Sequence, residues 1–141
     1  FLSISGILES YKSNKDYKTK YPLSNLIKEY ERNIVRILIP AKLKQIRLNT
    51  GLPIFVDWKL TPFKNDAIIE WYERIKLTNS FYSSTDLENQ KKIFVEINNK
   101  EQISHILIKD NDKNLVLKDC KILFKESGYL FYDIRKCNNI K

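Results

Sequence analysis

The sequence predicts an α/β fold: a three-layer sandwich around a mostly parallel, Rossmann-like sheet, with a C-terminal β-hairpin at one edge. Short β-branched segments alternate with helical periodicity, which is typical of parallel strands joined by helices. Near the C-terminus, a turn containing Gly128 separates two apolar segments, which is the pattern of a hairpin. The chain has 141 residues, 43% of them hydrophobic and 30% charged, enough for one domain with its own core.

The first predicted elements are short. Ser24 is the predicted N-cap of a first helix, which has apolar residues on one side. Residues 34–39 are a β-branched run that ends at a proline, and this indicates a buried strand. A second helix with Gly51 as its C-terminal stop and a second strand over residues 54–58 follow.

Two longer helices are predicted next, over residues 65–78 and 86–98. We expect the first of them to bury one apolar face, formed by Ile68, Ile69, Tyr72 and Ile75. A strand over residues 105–108 follows, and the hairpin pairs residues 121–124 with residues 129–134. The order of strands and helices is what predicts the parallel part of the sheet.

The domain organisation is predicted to be simple. Residues 1–20 are polar and lysine-rich for most of their length and indicate a tether or an N-terminal helix, and residues 21–141 form a single α/β domain. The chain contains no methionine and begins at Phe1, so we expect it to be part of a longer polypeptide. No apolar stretch reaches the length of a transmembrane helix.

The net charge of +8 invites a nucleic-acid partner, but the composition gives another reason for it. Lysine supplies 20 of the 25 basic residues, and isoleucine and asparagine are abundant while alanine is scarce. This bias is typical of an AT-rich genome, in which the charge records mutation pressure. We therefore do not expect nucleic acid to be a partner.

Counting residues excludes several common sites. One histidine, two cysteines and three glycines leave no two-histidine or four-cysteine metal site and no glycine-rich phosphate loop, so we predict no metal and no cofactor. His105 is expected at the edge of a strand. Cys120 and Cys137 flank the open end of the predicted hairpin, where a disulfide and two free thiols are equally compatible with the sequence.

Five charged residues form a candidate polar cluster at the C-terminal edge of the predicted sheet, where open α/β sheets place their ligands. They are Arg47, Asp57, Lys59, Glu70 and Arg74. Glu70 precedes Arg74 by four residues, the spacing of an ion pair on a helix. The cluster either binds an anionic ligand or holds the adjoining loop as a structural charge network. Trp71, between the last two, is either an exposed binding residue or part of the packing.

Asp57 and Lys59 also suggest an alternative function. They are two apart on a predicted strand and so lie on one face. Restriction-type nucleases use this arrangement, with the carboxylate on Mg²⁺ and the lysine orienting the attacking water. Such a site needs a second carboxylate, and Glu70 is a candidate for it.

A set of short motifs, in order, resembles the C-terminal segment of a group of bacterial multi-pass, glycosyltransferase-like membrane proteins of unknown function. The motifs are Leu38-Ile39-Pro40, Ile46-Arg47, the run from Pro53 to Lys59, Pro62-Phe63, the run from Ile69 to Arg74, and two final runs, from Lys121 to Lys125 and from Gly128 to Ile134. The resemblance implies a water-exposed accessory or interaction domain with no catalytic activity of its own. Its expected partner is the membrane-embedded remainder of the same polypeptide.

Overall fold

The computed structural model describes residues 21–43, 45–57, 62–110, 117 and 119–137. The helices are α1 (Pro22–Glu29), a 3-10 turn (Glu31–Asn33), α2 (Gln45–Thr50), α3 (Asn65–Ser83) and α4 (Leu87–Lys100). The strands are β1 (Ile37–Leu38), β2 (His105–Lys109), β3 (Lys121–Glu126) and β4 (Tyr129–Asp133). The predicted tether or helix over residues 1–20 lies outside the described residues.

The four strands form one mixed sheet in the order β1-β2-β4-β3. β1 is parallel to β2, whereas β4 is antiparallel to both β2 and β3. The α/β class is confirmed, but the prediction of a mostly parallel, Rossmann-like sheet is wrong. Ser127 and Gly128 both have positive φ, 53° and 77°, so β3 and β4 are joined by a tight hairpin turn that only antiparallel strands allow. The predicted hairpin lies at one edge of the sheet, and its second strand lies next to β2.

The first two predicted strands are shorter than expected. Within residues 34–39 only Ile37 and Leu38 pair as a strand, because the backbone N–H groups of Val35 and Arg36 donate to Ser104 Oγ at 2.9 and 3.2 Å. The predicted second strand is reduced to a single parallel bridge between Ile37 and Ile54. The segment that carries Asp57 therefore lies along the edge of β1, joined to it by backbone hydrogen bonds from the Ile37 N–H to Pro53 O and from the Phe55 N–H to Ile37 O, each 3.0 Å.

Two apolar cores lie on opposite faces of the sheet, because alternate residues of a strand point to opposite sides. Leu107 belongs to one core with Ile27 of α1. Its neighbour Ile106 belongs to the other core, with Phe81 of α3 and Phe94 of α4. Helices thus cover both faces, α1 and α2 on one and α3 and α4 on the other.

Helix α3 turns a different side to the core from the predicted one. Its buried residues are Ile75, Thr78 and Phe81, and Trp71 packs partly against the same core. Ile68, Ile69 and Tyr72 were expected beside Ile75, but they are 37%, 62% and 54% exposed, so the predicted buried face is wrong except at Ile75.

The reason for this orientation lies in hydrogen bonds to the sheet side of the molecule. Trp71 Nε1 donates to Asp57 O at 2.9 Å, and Arg74 Nη1 donates to Phe55 O at 3.4 Å. The hydroxyl of Tyr82 donates to Leu107 O at 2.7 Å. These side chains share one side of α3 and satisfy carbonyl groups that would otherwise be buried without a partner.

The helix ends agree in part with the predictions. Asp86 caps α4, where its carboxylate accepts a hydrogen bond from the Asn89 N–H at 3.0 Å. Gly51, with a φ of 68°, follows the last residue of α2 as predicted. Ser24 is not an N-cap, because α1 begins two residues earlier at Pro22, and Ser24 is buried inside the helix.

Candidate functional site

The candidate site is a cleft of about 220 Å³ between residues 55–57 and the first half of α3. Four of the five residues of the predicted polar cluster line it: Arg47, Asp57, Glu70 and Arg74. The fifth, Lys59, lies outside the described residues. Phe55, Pro62 and Trp71 contribute apolar walls.

The turn after α2 positions the two residues at one end of the cleft. The Gly51 N–H donates to Arg47 O at 2.8 Å, and the Leu52 N–H donates to Thr50 Oγ1 at 3.2 Å, so the chain reverses beside Arg47. Arg47 Nη1 then lies 3.9 Å from Asp57 Oδ2. The Asp57 side chain is 2% exposed and that of Arg47 is 43% exposed, so the carboxylate is inside the wall and the guanidinium is at the mouth.

Arg74 is the most heavily bonded residue of the cleft. Its Nε donates to Glu70 Oε1 at 2.9 Å, as the spacing of four residues predicts. Its Nη2 lies 3.3 Å from Glu101 Oε1 at the end of α4. The guanidinium also lies 5.0 Å from the ring centroid of Phe55, a favourable cation–π distance.

The ion pairs continue beyond the predicted cluster. Arg36 Nη2 lies 3.3 Å from Glu101 Oε2, and Lys100 Nζ lies 3.1 Å from Glu70 Oε2 and 3.2 Å from Glu73 Oε2. Hydrogen bonds from Arg74 and then from Lys100 lower the pKa of Glu70. The same carboxylates raise the pKa of Lys100.

We refer to these six side chains as the ionic network. They are Arg36, Glu70, Glu73, Arg74, Lys100 and Glu101. Three cations and three carboxylates pair with one another and join β1, α3 and the end of α4. The network therefore holds the residues that form the wall of the cleft in fixed positions.

Sequence reasoning found the pair of Glu70 and Arg74 but missed the other four residues of the network. Arg36 carried a signal, because it is the charged residue in an otherwise apolar run and a buried strand must pair its charges. Lys100 and Glu101 carried none, since they lie 27 to 30 positions from their partners on α3. Glu73 contacts Lys100, which is also distant in sequence.

A second polar group, in the interior, was also missed. His105 is the first residue of β2, so it lies at the edge of a strand as predicted, and it is fully buried because β2 lies between β1 and β4. Its Nδ1 lies 2.8 Å from Ser104 Oγ, and its ring stacks on Phe131. Its Nε2 lies 4.0 Å from Asp133 Oδ2 and has no hydrogen-bond partner in the described part of the chain. Burial lowers the pKa of His105 to about 4, against the attraction of Asp133, which favours the charged form.

This interior group does not have the geometry of an open nucleophile. Ser104 is 0% exposed, and its Oγ already accepts hydrogen bonds from two backbone N–H groups. Asp133 is held by Arg135, whose hydrogen bonds lower the pKa of the carboxyl to about 2. Ser104 therefore joins the start of β2 to the segment before β1, and the His105 ring packs against Phe131 of β4.

A disulfide joins Cys120 to Cys137, with 4.9 Å between the Cα atoms, so the question left open by the sequence is answered. The bond closes a segment of 17 residues that contains the hairpin. Cys137 Sγ lies 3.8 Å from Asp133 O, which places the disulfide beside the last residue of β4.

The outer side of the first half of α3 carries large apolar side chains in contact with solvent. We call Phe63, Ile68, Ile69 and Tyr72 the α3 face. Phe63, just before the helix, is 102% exposed, and the others are between 37% and 62% exposed. Ile69 and Tyr72 lie on the outer side of α3, away from the buried residues, and Ile68 lies at the border between the two sides.

The fold and the cleft together define a mixed α/β domain with a paired ionic network beside an exposed apolar face. A family model described as a domain of unknown function (DUF6798) matches residues 23–78, which run from α1 into α3 and include all five residues of the predicted cluster. Comparison with curated proteins and with solved structures found no match.

Two chemical expectations concern the same cleft. Within the described ranges, no three His, Cys, Asp or Glu side chains are grouped so that they could hold a metal ion. The Mg²⁺-nuclease alternative stays a prediction, because it needs Lys59, which lies outside those ranges.

Proposed function

We propose that this chain is an accessory interaction domain of a larger membrane protein, with the membrane-embedded remainder of that polypeptide as its neighbour. The observation that carries the proposal is the α3 face, which exposes three large apolar side chains of one helix and Phe63 just before it. Contiguous apolar patches of this kind mark interaction sites. In the described part of the chain, none of the helices has the length and apolar character needed to cross a membrane.

The orientation of α3 supports this proposal energetically. Full burial of a large apolar side chain stabilises a protein by about 1.5–3 kcal/mol. The side chains of the α3 face are exposed and do not provide this stabilisation in full. On the inner side, Thr78 Oγ1 is buried without a hydrogen-bond partner in the described part of the protein, at a cost of about 1–3 kcal/mol. A partner that covers the outer side recovers the burial of the α3 face.

The ionic network supports an accessory rather than a catalytic role. Its side chains are engaged with one another and with backbone carbonyls, such as that of Ile54, which accepts from Arg36 Nη1 at 3.3 Å. Groups held in this way keep the cleft wall and the start of α3 rigid. A rigid base of this kind suits a surface that must present several apolar side chains together.

The test is the behaviour of the native polypeptide. We expect an antibody against this chain to detect it in the membrane pellet after extraction with alkaline sodium carbonate, which removes peripheral proteins. Recovery of the polypeptide in the carbonate supernatant would contradict the proposal. A known peripheral protein from the same cells, detected in the supernatant, is the control.

The disulfide points to a side of the membrane. Disulfides persist in oxidising compartments and are rare where glutathione and thioredoxin keep thiols reduced, so we infer that the domain faces the oxidising side. Cells are lysed directly into acid, which stops thiol exchange, and the lysate is then treated with a maleimide. Cys120 and Cys137 should stay unlabelled until a reductant is added. Labelling without reductant would place the domain on the reducing side.

A second candidate function is the binding of an anionic group at the mouth of the cleft. It rests on Arg47, which is more exposed than Arg74 and lies farther from its carboxylate than the network residues do from theirs. Titration with inorganic phosphate, followed by NMR, should shift the signals of Arg47 and its neighbours. Arg47→Gln should abolish these shifts, and Lys91→Gln, at a partly exposed lysine of α4, should keep them. Equal behaviour of the two variants would exclude the site.

The nuclease alternative has a direct assay. If it holds, the chain cleaves plasmid DNA with Mg²⁺ and loses the cleavage in Asp57→Ala and in Lys59→Ala. DNA binding without cleavage would not support it, because a chain of charge +8 binds DNA weakly at low salt in any case.

A further inference from the structure

We infer that the α3 face docks on the surface of a lipid bilayer that carries anionic headgroups. The inference rests on the proposed function and names the surface that the domain touches. It places Phe63, Ile69 and Tyr72 in the boundary between headgroups and acyl chains, with α3 lying along the membrane plane.

The composition and placement of the face fit a bilayer interface. Phe63 is wholly exposed at the start of the helix, and Ile69 and Tyr72 follow on the same side one turn apart. Helices that lie in a membrane interface combine aromatic and branched apolar residues on one side with lysines at the border. Tyr72 presents an apolar ring with a polar tip, which is the character of residues found at headgroup level.

The charges around the face are complementary to anionic lipids. Lys64 lies beside Phe63, and Lys76 lies one turn beyond Tyr72 with its Nζ 5.0 Å from the centroid of the tyrosine ring. Glu73 is drawn away from the face by Lys100, 3.2 Å away. Asp66, in the first turn, interacts favourably with the helix N-terminus. With a net charge of +8, the whole chain is attracted to an anionic surface.

The size of the face favours a bilayer over a second copy of the chain. Its four partly exposed side chains present an area on the order of 500 Å², since a large aromatic residue covers about 150–250 Å² when fully buried. A stable protein interface needs about 800 Å² on each partner. Insertion into a bilayer has no such threshold, because each apolar side chain contributes independently.

The experiment measures co-sedimentation of the 141-residue chain with vesicles of phosphatidylcholine containing about 30% phosphatidylglycerol. The test variant is Phe63→Ser with Ile69→Ser. Its matched control is Leu48→Ser with Val95→Ser, which removes two exposed apolar residues from other helices. A second pair compares Lys64→Gln/Lys76→Gln with Lys92→Gln/Lys121→Gln at exposed lysines elsewhere. Circular dichroism checks that every variant is folded.

We expect the wild-type chain and both control variants to bind. The apolar test variant should bind about 100-fold more weakly, roughly tenfold for each side chain removed from the interface. The lysine test variant should lose about fivefold per charge on anionic vesicles. On vesicles of phosphatidylcholine alone, it should match the wild type.

Three results would overturn the inference. They are absence of vesicle binding by the wild-type chain, equal binding by the apolar test and control variants, and sedimentation showing that Phe63→Ser/Ile69→Ser abolishes a dimer instead. These results differ from a failure of the membrane-protein proposal. An integral membrane protein whose domain does not touch lipid stays in the membrane pellet after carbonate extraction, but its domain does not bind vesicles. A peripheral protein that binds lipid is released by carbonate, but it does bind vesicles.

Discussion

Between α3 and α4, Arg74 and Lys100 pair with three carboxylates on a partly exposed surface, whereas His105 is enclosed at the centre of the sheet between Ser104 and Asp133. The surface carboxylate Glu70 is stabilised in its charged form, and its pKa is lowered by its partners. His105 is stabilised in its neutral form, because burial outweighs the attraction of Asp133. Partners decide the charge state at the surface, and desolvation decides it in the interior.

This difference predicts the largest effect, which is a loss of stability in mild acid. The unfolded chain takes up a proton at His105 near pH 6.5 and the folded chain only near pH 4. The free energy of unfolding therefore has its full value above pH 6.5 and falls by roughly 3–4 kcal/mol as the pH drops to 4. Urea unfolding of the wild type and of His105→Gln across this window measures it. An equally steep fall in the variant would show that His105 is not the cause.

The disulfide offers a second way to separate the two regions. It closes a 17-residue segment beside Asp133, so replacing both cysteines by serine should cost about 3 kcal/mol. Hydrogen exchange should then become faster in β3 and β4 than in α3 and α4. If hydrogen exchange became faster by the same factor over the whole domain, the two regions would unfold as one unit. They would then differ only in their electrostatics.

A smaller effect is expected in the ionic network. Arg74→Gln removes bonds to Glu70, Glu101 and the Phe55 carbonyl, and should lower the free energy of unfolding by about 1–2 kcal/mol. Combined with Glu101→Gln, it should show a coupling of about 0.5–1 kcal/mol in a double-mutant cycle. Strict additivity would indicate that the 3.3 Å contact between these two side chains contributes nothing.

The smallest effect is expected at an exposed pair outside the network. Lys91 Nζ lies 3.8 Å from Glu88 on α4, and Lys91→Gln should change the free energy of unfolding by less than about 0.5 kcal/mol. Chemical denaturation at low salt is the measurement. We expect an ion pair that joins two elements to contribute more to stability than one within a single helix. A larger loss of stability in Lys91→Gln than in Arg74→Gln would contradict this.

Much of the local structure follows from the sequence, because it depends on nearest neighbours. The helix over residues 86–98, the strand over residues 105–108 and the hairpin appear where periodicity and turn residues predict them. Glu70 and Arg74 were paired from their spacing alone. The sheet order was not predictable in the same way, since it depends on which strand takes the place beside β2.

The α3 face shows why the rest was out of reach. Periodicity identifies residues that share a side of a helix, but the side that turns inward is chosen by contacts far along the chain. For α3 those contacts are the carbonyls of Phe55, Asp57 and Leu107, which attract polar side chains inward and leave Ile69 and Tyr72 in solvent.

The sequence by itself determined the α/β class, the C-terminal hairpin, the ends of several helices and the local pair between Glu70 and Arg74. Only the tertiary structure decided that the sheet is mixed, that Cys120 and Cys137 are bonded, and that His105 is buried. The physical reason is distance along the chain. Propensity and spacing act over a few residues, whereas burial, desolvation and pairing across 27 or more positions arise only once the chain has folded.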